Sequence, residues 1–383
     1  MSSSLLRERP VTTPEMLAVF DDASTLRHAL AFESALAQAQ ADAQVIDAAA
    51  ARAITAACAA FTTDISAFAE SVTRAGTLAI PLVEALRARL TGAAAAELHR
   101  GATSQDLADT VLVLQMKEAS ALLADEHGRL VAALMMSAAR HAALPAVGRT
   151  LLQDARPIGF GLRIAQWALG IRDAAAHLER TIAAHADVQL GGAAGTRAGM
   201  FGRGSAIAAG LAQRLQLNPS VPWHARRGSI AAIAAGLGVC MGALGKMALD
   251  ISLLAQNQIG EALEPVIEGR GGSSAMPHKR NPTGCQVALS AAARAPGLVA
   301  TVFAGLPCEL ERGLGGWQAE APVLAELCLL AAGSAHAMAD VAQDLLVMDV
   351  AIAKNLAQAN VGDDIGESAQ IVEEILRSYR EAR

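Results

Sequence analysis

The residue types best suited to chemistry lie together in one short segment, residues 271–282, which reads GGSSAMPHKRNP. The glycines before Ser273 permit backbone conformations and movements that other residues rarely adopt. A serine hydroxyl beside a lysine ammonium can have a lowered pKa, which suits proton transfer. Lys279 and exposed backbone N–H groups could hold a carboxylate. A polar loop that only joins two helices is the alternative interpretation.

The elements around this segment are predicted to be long helices. The 383 residues are 53% hydrophobic but only 3% aromatic, so Ala, Leu and Val must fill the core. Such an Ala-rich chain favours helix over strand, and we find no strand-like alternation. Helices are predicted over residues 32–60, 106–143, 157–186, 230–263, 283–304 and 321–346. Glycine-rich breaks between them indicate an elongated all-α bundle.

Composition limits the possible partners. The net charge of −6 argues against general nucleic-acid binding, although a locally cationic site can still bind an anionic substrate. Residues 229–245 are uncharged and apolar but short for a membrane span, which favours a buried helix over a membrane helix. We therefore expect neither a nucleic-acid partner nor a membrane.

The spacing of cysteines and histidines predicts no metal site. The five cysteines are widely spaced and include no C-x-x-C pair, so we expect reduced thiols in a cytoplasmic protein. No histidines form an H-E-x-x-H pattern, and the glycine-rich segment 191–204 has no Walker lysine. We therefore expect no metal and no cofactor.

The segment 271–282 resembles the signature loop of the fumarase/aspartase superfamily, GSSxMPxKxNP, at all of its fixed positions. Two further segments are similar to family regions and follow in the family's order: HRGATSQD at 99–106 and GRTLLQDARP at 148–157. The similarity extends from about residue 15 to about residue 345. It implies the elongated helical bundle of that superfamily.

The resemblance also implies a role for each loop. Ser273 would be the catalytic acid/base at carbon, with Lys279 as the second catalytic residue and a substrate ligand. The implied substrate-binding residues are His99, Thr103, Ser104, Arg149, Thr150, Gln153, Ser274, Met276 and Asn281. For Thr103 and Ser104 simple helix capping is the alternative, and both roles can coexist.

Two departures from the family pattern indicate the branch. Fumarases, adenylosuccinate lyases and argininosuccinate lyases have a His after the Arg-Thr of the second region and pair it with a Glu. This chain has Leu151 and Gln286 at those positions. A carboxylate nucleophile with a pKa of about 4 needs no such acid at its oxygen. The resemblance therefore implies the cofactor-free branch that closes 3-carboxy-cis,cis-muconate to 4-carboxymuconolactone in protocatechuate breakdown.

Three more segments resemble the same branch: PWHARR at 222–227, GEALEP at 260–265 and ELERGLGGW at 309–317. His224 and Arg227 are predicted to line the site, with surface polarity as the alternative. Arg312 is predicted to bind a carboxylate, because a tricarboxylate needs several cations. One ion pair at about 4 Å contributes about 4 kcal/mol at an effective dielectric constant of about 20.

The domain organisation follows from the same resemblance. We expect an N-terminal helical domain at 1–102, a central long-helix bundle at 103–346 and a C-terminal helical segment at 347–383, shorter than the family's usual third domain. The family typically forms homotetramers whose sites combine loops of three subunits, so Thr103, Arg149 and Ser273 would meet across chains.

Two other functions stay open on the sequence. A C–N lyase of the adenylosuccinate or argininosuccinate type is one, and Leu151 with Gln286 counts against it. A catalytically silent helical assembly protein is the other, and the intact loop around Ser273 counts against that.

Overall fold

The N-terminal part of the chain is a group of short and medium helices. The structure, a computed structural model, describes residues 5–276 and 278–381. Asp21, Asp47 and Asp64 each cap a helix by accepting a hydrogen bond from a backbone N–H of its first turn. The helices are α1 (Leu5–Glu8), α2 (Pro14–Val19), α3 (Asp22–Asp42), α4 (Ala48–Ala59), α5 (Ile65–Ala75), α6 (Ala79–Arg87) and α7 (Gly92–Glu97).

The helix predicted over 32–60 is in fact two helices, α3 and α4. The chain turns at Gln44, whose φ is +57°, and Asp47 then starts α4. The polar N-cap signal outweighs the uninterrupted helix propensity of the stretch.

Five long helices form the centre of the molecule, as the all-α prediction requires. In chain order the five are α8 (Ser104–Arg140), α9 (Phe160–Ala184), α11 (Gly228–Leu254), α12 (Thr283–Ala304) and α13 (Glu320–Gln343), with the shorter α10 (Gly204–Leu215) between α9 and α11 in the chain. Helix α8 packs on α9 and α13, and α11 packs on α12 and α9. The all-α fold class is confirmed.

The long helices run in alternating directions, which gives the bundle two distinct ends. At the end we call lower, α8, α11 and α13 begin: Arg227 bonds Asp109 at 2.9 Å and Glu320 at 3.0 Å. At the upper end α9 begins and α11 finishes, and there the indole of Trp167 donates to Asp250 at 2.7 Å. A side chain from a loop can therefore reach only one of the two ends.

The prediction that the chain has no strands is wrong at the upper end. Strands β1 (Pro145–Thr150) and β2 (Gln153–Gly159) form an antiparallel hairpin between α8 and α9. Leu151 and Leu152 make its turn with φ of +54° and +63°. The usual hairpin signal is Asn-Gly or Asp-Gly at such positions, and two leucines give no such signal.

The last elements cover the upper end. Strands β3 (Ala262–Leu263) and β4 (Leu346–Val347) pair antiparallel, and α14 (Asp349–Ala359) and α15 (Ser368–Glu381) follow. Helix α14 packs against β1, and α15 packs against α9 and α8. The helix predicted to run to residue 263 thus ends at Leu254. The three domain boundaries given above stay predictions.

One buried histidine in α8 makes the fold sensitive to acid. His127 is buried, its Nε2 has no hydrogen-bond partner, and burial lowers its pKa to about 4, against a smaller opposing effect of Glu126. The unfolded chain takes up the proton at about pH 6.5, well before the folded chain does. We therefore expect the free energy of unfolding to fall by about 3 kcal/mol as the pH drops through this window.

Urea unfolding at about pH 7 and about pH 4.5 measures this loss. The variant His127→Leu should lose clearly less stability over the same interval, because it has no imidazole to titrate. His177→Leu, at an exposed position of α9, is the matched control and should behave like wild type. An unchanged acid loss in His127→Leu would contradict the assignment.

Candidate active site

A cationic cluster lies at the lower end, where α8 begins. Arg312, in the loop after α12, donates to the Thr103 hydroxyl at 2.6 Å, to the Ser104 hydroxyl at 3.3 Å and to the Gln105 amide oxygen at 3.2 Å. The helix N-terminus adds partial positive charge there. Arg312 has hydroxyl and amide partners and no carboxylate partner among the described residues, so its charge is available to an anion.

Asp106 holds in place the backbone that carries this cluster. Its buried carboxylate accepts hydrogen bonds from the backbone N–H of Thr103 at 2.9 Å, Gly191 at 2.8 Å and Gly192 at 2.9 Å. The imidazole Nε2 of His224 lies 2.7 Å from it. Since Asp106 satisfies the backbone at the start of α8, the Thr103 side chain can accept from Arg312. His224 is buried, so surface polarity is wrong for it, and its ring contacts Asp106.

Gln105 and Asp106 belong to the first family region, but the sequence predicts no role for either of them. An acidic side chain does not bind an anionic substrate, so Asp106 carried no signal as a ligand. Its function in the structure is to hold two backbone segments together, the start of α8 and the turn at 191–192. Gln105 does the same on one side, since its amide donates to the His224 carbonyl at 3.1 Å.

The structure places Arg227 inside the bundle, paired with two carboxylates. Its side chain is only 1% exposed, which also excludes surface polarity. Its Nη atoms both donate to Asp109 at 2.9 Å, and its Nε donates to Glu320 at 3.0 and 3.1 Å. The guanidinium also lies 4.8 Å from the ring of Trp223. Burial lowers the pKa of Arg227, but the two carboxylates raise it by more. The charge of Arg227 therefore joins three helix starts, and its role in substrate binding stays a prediction.

The second family region forms the hairpin at the upper end. Arg149 on β1 makes a two-pronged ion pair with Glu261, at 2.9 Å and 2.6 Å, and a longer contact with Asp154 at 3.6 Å. Glu261 is fully buried and also accepts from Asn355 on α14 at 2.8 Å. Thr150 next to the turn is exposed. In this structure the charge of Arg149 is matched by Glu261, so the residue fixes the hairpin on the bundle.

Glu261 was also missed as a functional residue. It belongs to the segment GEALEP at 260–265, whose only signal in the sequence is its similarity to the lactonising branch. Beyond Arg149 it lies 3.6 Å from Arg163 of α9. Gln153, predicted to bind substrate, is exposed on the other side of the hairpin turn.

The third family region is an exposed loop closed by its own residues. The backbone N–H of Asn281 donates to the Gly271 carbonyl at 2.8 Å, and its side-chain amide donates to the Gly272 carbonyl at 3.1 Å. Gly271 has a φ of +73°, and a Cβ there would lie 2.7 Å from the Asn281 carbonyl oxygen. Glycine at this position therefore allows the loop to close, and the two hydrogen bonds of Asn281 hold it closed.

Within this loop, of the two predicted catalytic residues, Ser273 is half-buried and Lys279 is exposed. The Ser273 hydroxyl accepts a hydrogen bond from the backbone N–H of Met276 at 3.1 Å. Ser274, Met276 and Lys279 are exposed. Pro277 lies outside the described residues. The loop therefore carries the Ser273 hydroxyl and the Lys279 ammonium on a backbone that the hydrogen bonds of Asn281 hold in place.

Comparisons with known proteins agree with this architecture. The model of a family described as Lyase matches residues 7–297. The 3-carboxy-cis,cis-muconate cycloisomerase of Bradyrhizobium diazoefficiens is 44% identical over 90% of this chain and 78% of its own length. That of Pseudomonas putida is 41% identical over 90% of this chain and 83% of its own length.

This chain belongs to the lyase family. A crystal structure of the 3-carboxy-cis,cis-muconate lactonizing enzyme from Pseudomonas putida superposes with a TM-score of 0.86 at 38% identity, covering 99% of this chain and 89% of that one. The family resemblance drawn from the three loops is therefore confirmed. Enzymes of this lyase family act on small carboxylates and are typically oligomeric.

In this lyase chain the three regions occupy opposite ends of the bundle. Arg270, just before the Ser273 loop, bonds Asp340 at 3.1 Å, and Asp340 bonds Arg129 of α8 at 2.9 Å. At about 1.5 Å per residue, Arg129 lies about 39 Å along α8 from Thr103. One chain therefore brings Thr103, Ser104 and Arg312 together but keeps the Ser273 loop and the Arg149 hairpin far from them.

Proposed function

We propose that this protein is a cofactor-free cycloisomerase that converts 3-carboxy-cis,cis-muconate to 4-carboxymuconolactone. The observation that carries the proposal is the tip of the hairpin, where Leu151 is 92% exposed in the place of the histidine used by the C–N and C–O lyases. Gln286, in the first turn of α12, is exposed and uncharged. These two positions offer no acid for a poor leaving group, whereas a carboxylate leaving group needs none.

The chemistry divides between the two ends of the bundle. Arg312, Thr103 and Ser104 hold substrate carboxylates by charge-assisted hydrogen bonds. One substrate carboxylate oxygen adds to the double bond, the C–O bond forms, and the alkene electron pair moves toward the neighbouring carboxylate. Ser273 gives its proton to the alkene carbon next to that carboxylate, and Lys279 stabilises the oxygen anion left on the serine.

We further propose that the enzyme is a homotetramer whose sites combine different subunits. Two copies packed antiparallel place the lower end of one beside the upper end of the other, which removes the separation of about 39 Å. The apolar helix α12 supports this packing, because only 22% of its most apolar 18-residue stretch is buried within the chain. Oligomers commonly cover such apolar faces.

The same apolar helices raise the question of a membrane. By length and composition alone, Gly228–Leu254, Thr283–Ala304 and Trp317–Gln343 could cross one. We propose that the rest of this chain and other copies of it, and not lipid, cover them, since two of the three are already 56% and 72% buried within the chain. We also propose that the protein is cytoplasmic and binds no nucleic acid. The match to a lyase family that acts on small carboxylates supports this, as do the five free cysteines.

Two assays run side by side test the activity. The purified protein is expected to consume 3-carboxy-cis,cis-muconate, followed by its ultraviolet absorbance, and to leave adenylosuccinate intact in a parallel assay. Rapid cleavage of adenylosuccinate with no loss of carboxymuconate would reject the cycloisomerase and favour the C–N lyase. Inactivity in both assays would favour an assembly protein.

Mixing two inactive variants tests whether the sites are shared. Arg312→Ala and Ser273→Ala alter opposite ends of the bundle. A shared site is therefore intact when its Arg312 comes from a Ser273→Ala chain and its Ser273 comes from an Arg312→Ala chain. In tetramers reassembled from an equal mixture we expect about a quarter of the sites to regain activity. The measurement is the specific activity of the mixture against each parent.

The control is an equal mixture of two single variants, Ser273→Ala and Lys279→Ala. Both residues lie in the same loop, which each site takes whole from one chain. Every site in this mixture therefore contains an altered loop and should stay inactive. Activity in the control mixture, or none in the first mixture despite confirmed subunit exchange, would contradict site sharing.

A further inference from the structure

A buried carboxylate stands behind the first family region. Glu33 of α3 has a side chain with no exposed surface, and its Oε1 lies 2.6 Å from Nδ1 of His99. Its second oxygen, Oε2, is buried and has no hydrogen-bond partner. Burying a carboxylate without a partner costs several kcal/mol in general, so His99 is the group that makes this buried charge tolerable.

His99 is placed so that only one edge of its ring is used by the protein. It adopts a φ of +60° in the turn that leads into α8, and Gln40 of α3 braces that turn by donating to the Arg100 carbonyl at 2.6 Å. The side chain is 15% exposed, and its Nε2 has no hydrogen-bond partner among the described residues. An imidazolium held at Nδ1 therefore has one N–H left to offer.

The surrounding charges favour the protonated ring. Burial lowers the pKa of His99, but the net direction is upward because Glu33 contributes both charge and a hydrogen bond. Asp106 of α8 also raises the pKa, whereas Arg87 at the end of α6 lowers it. These charges therefore favour the protonated form of His99 close to the start of α8, where Thr103 caps the helix.

We propose that Glu33 is a positioning residue for His99 and that the imidazolium Nε2–H adds a second cationic contact to the carboxylate-binding cluster of Thr103, Ser104 and Arg312. This inference rests on the proposed function and names a part of its substrate recognition. It gives a tricarboxylate substrate two fixed cations at the lower end of one subunit. Glu33 itself touches no substrate and acts only through the imidazole.

The test is the pH dependence of anion binding in Glu33→Gln. The probe is tricarballylate, a simple tricarboxylate, and its dissociation constant is measured by calorimetry across the neutral and mildly alkaline range. Wild type should lose affinity where His99 gives up its proton. In Glu33→Gln this midpoint should move to lower pH, and between the two midpoints the dissociation constant should rise by about tenfold. Well below both midpoints the two proteins should bind alike.

Gln40→Met is the matched control, because it loosens the same turn without removing a charge. It should weaken binding equally at every pH and leave the midpoint where wild type has it. The same uniform loss in Glu33→Gln would assign Glu33 a structural role and overturn the proposal, as would an unchanged midpoint.

If Glu33→Gln does not fold, the wild-type protein still gives a decision. Histidine-selective carbon-13 NMR, with His99→Gln to assign the signal, reports the titration of His99 directly. A midpoint at or below about 6.5, the ordinary histidine value, would overturn the proposal. Tricarballylate binding requires no turnover, so failure to consume carboxymuconate would reject the proposed function and leave this result readable.

Discussion

Replacing Ser273 by Ala is expected to lower kcat by a factor of about 10³, because the substitution removes the only proposed proton carrier at carbon. Folding and oligomeric state should not change. The Ser273 hydroxyl accepts one hydrogen bond, from the backbone N–H of Met276 in an exposed loop, and water can replace it. Steady-state consumption of carboxymuconate measures the loss, and gel filtration checks the assembly.

Ser274→Ala is the matched control for this prediction. Ser274 is exposed in the same loop and its hydroxyl makes no hydrogen bond among the described residues. Its loss should cost far less activity. If Ser273→Ala kept more than about a tenth of wild-type kcat, a barrier change under about 1.4 kcal/mol, Ser273 would not be the acid/base and Ser274 would replace it.

Replacing Arg227 by Met is expected to destabilise the protein by about 3–5 kcal/mol, because it leaves the buried carboxylates of Asp109 and Glu320 without their cation. The two anions lie on α8 and α13, and both are bonded to this guanidinium. The free energy of unfolding in urea at neutral pH measures the loss.

Two comparisons separate this effect from ordinary loss of an ion pair. Arg294→Met breaks the exposed pair with Glu326, where the side chains are 45% and 37% exposed, and should cost at most about 1 kcal/mol. Adding Asp109→Asn and Glu320→Gln to Arg227→Met should recover much of the stability, since the repelling charges are gone. A loss below about 1 kcal/mol in Arg227→Met would contradict the buried-triad assignment.

The long helices and the family were within reach of the sequence because both depend on local pattern. Helical spacing and Ala-rich composition are properties of neighbouring residues, and α8, α9 and α12 lie close to the predicted ranges. The loop at 271–282 is a contiguous motif, so the family followed from twelve adjacent positions. Leu151 and Gln286 were informative for the same reason, since each was read against a fixed place in a motif.

The roles of individual charges were decided only by tertiary structure. Arg312 and Arg227 look alike in sequence, yet one is bonded to hydroxyls at the start of α8 and the other is enclosed by Asp109 and Glu320. Their partners lie about a hundred or more residues away along the chain, so no local pattern distinguishes a free cation from a neutralised one. The pairing of Arg149 with Glu261 was hidden in the same way.

The sequence by itself determined which segments can do chemistry, and the fold decided which of them can meet. Thr103 and Arg312 adjoin because α12 returns the chain to the start of α8. Ser273 lies at the other end because α11 carries the chain up the full length of the bundle before the loop begins. Rigid helices fix such distances, since each residue advances the axis by about 1.5 Å whatever its side chain.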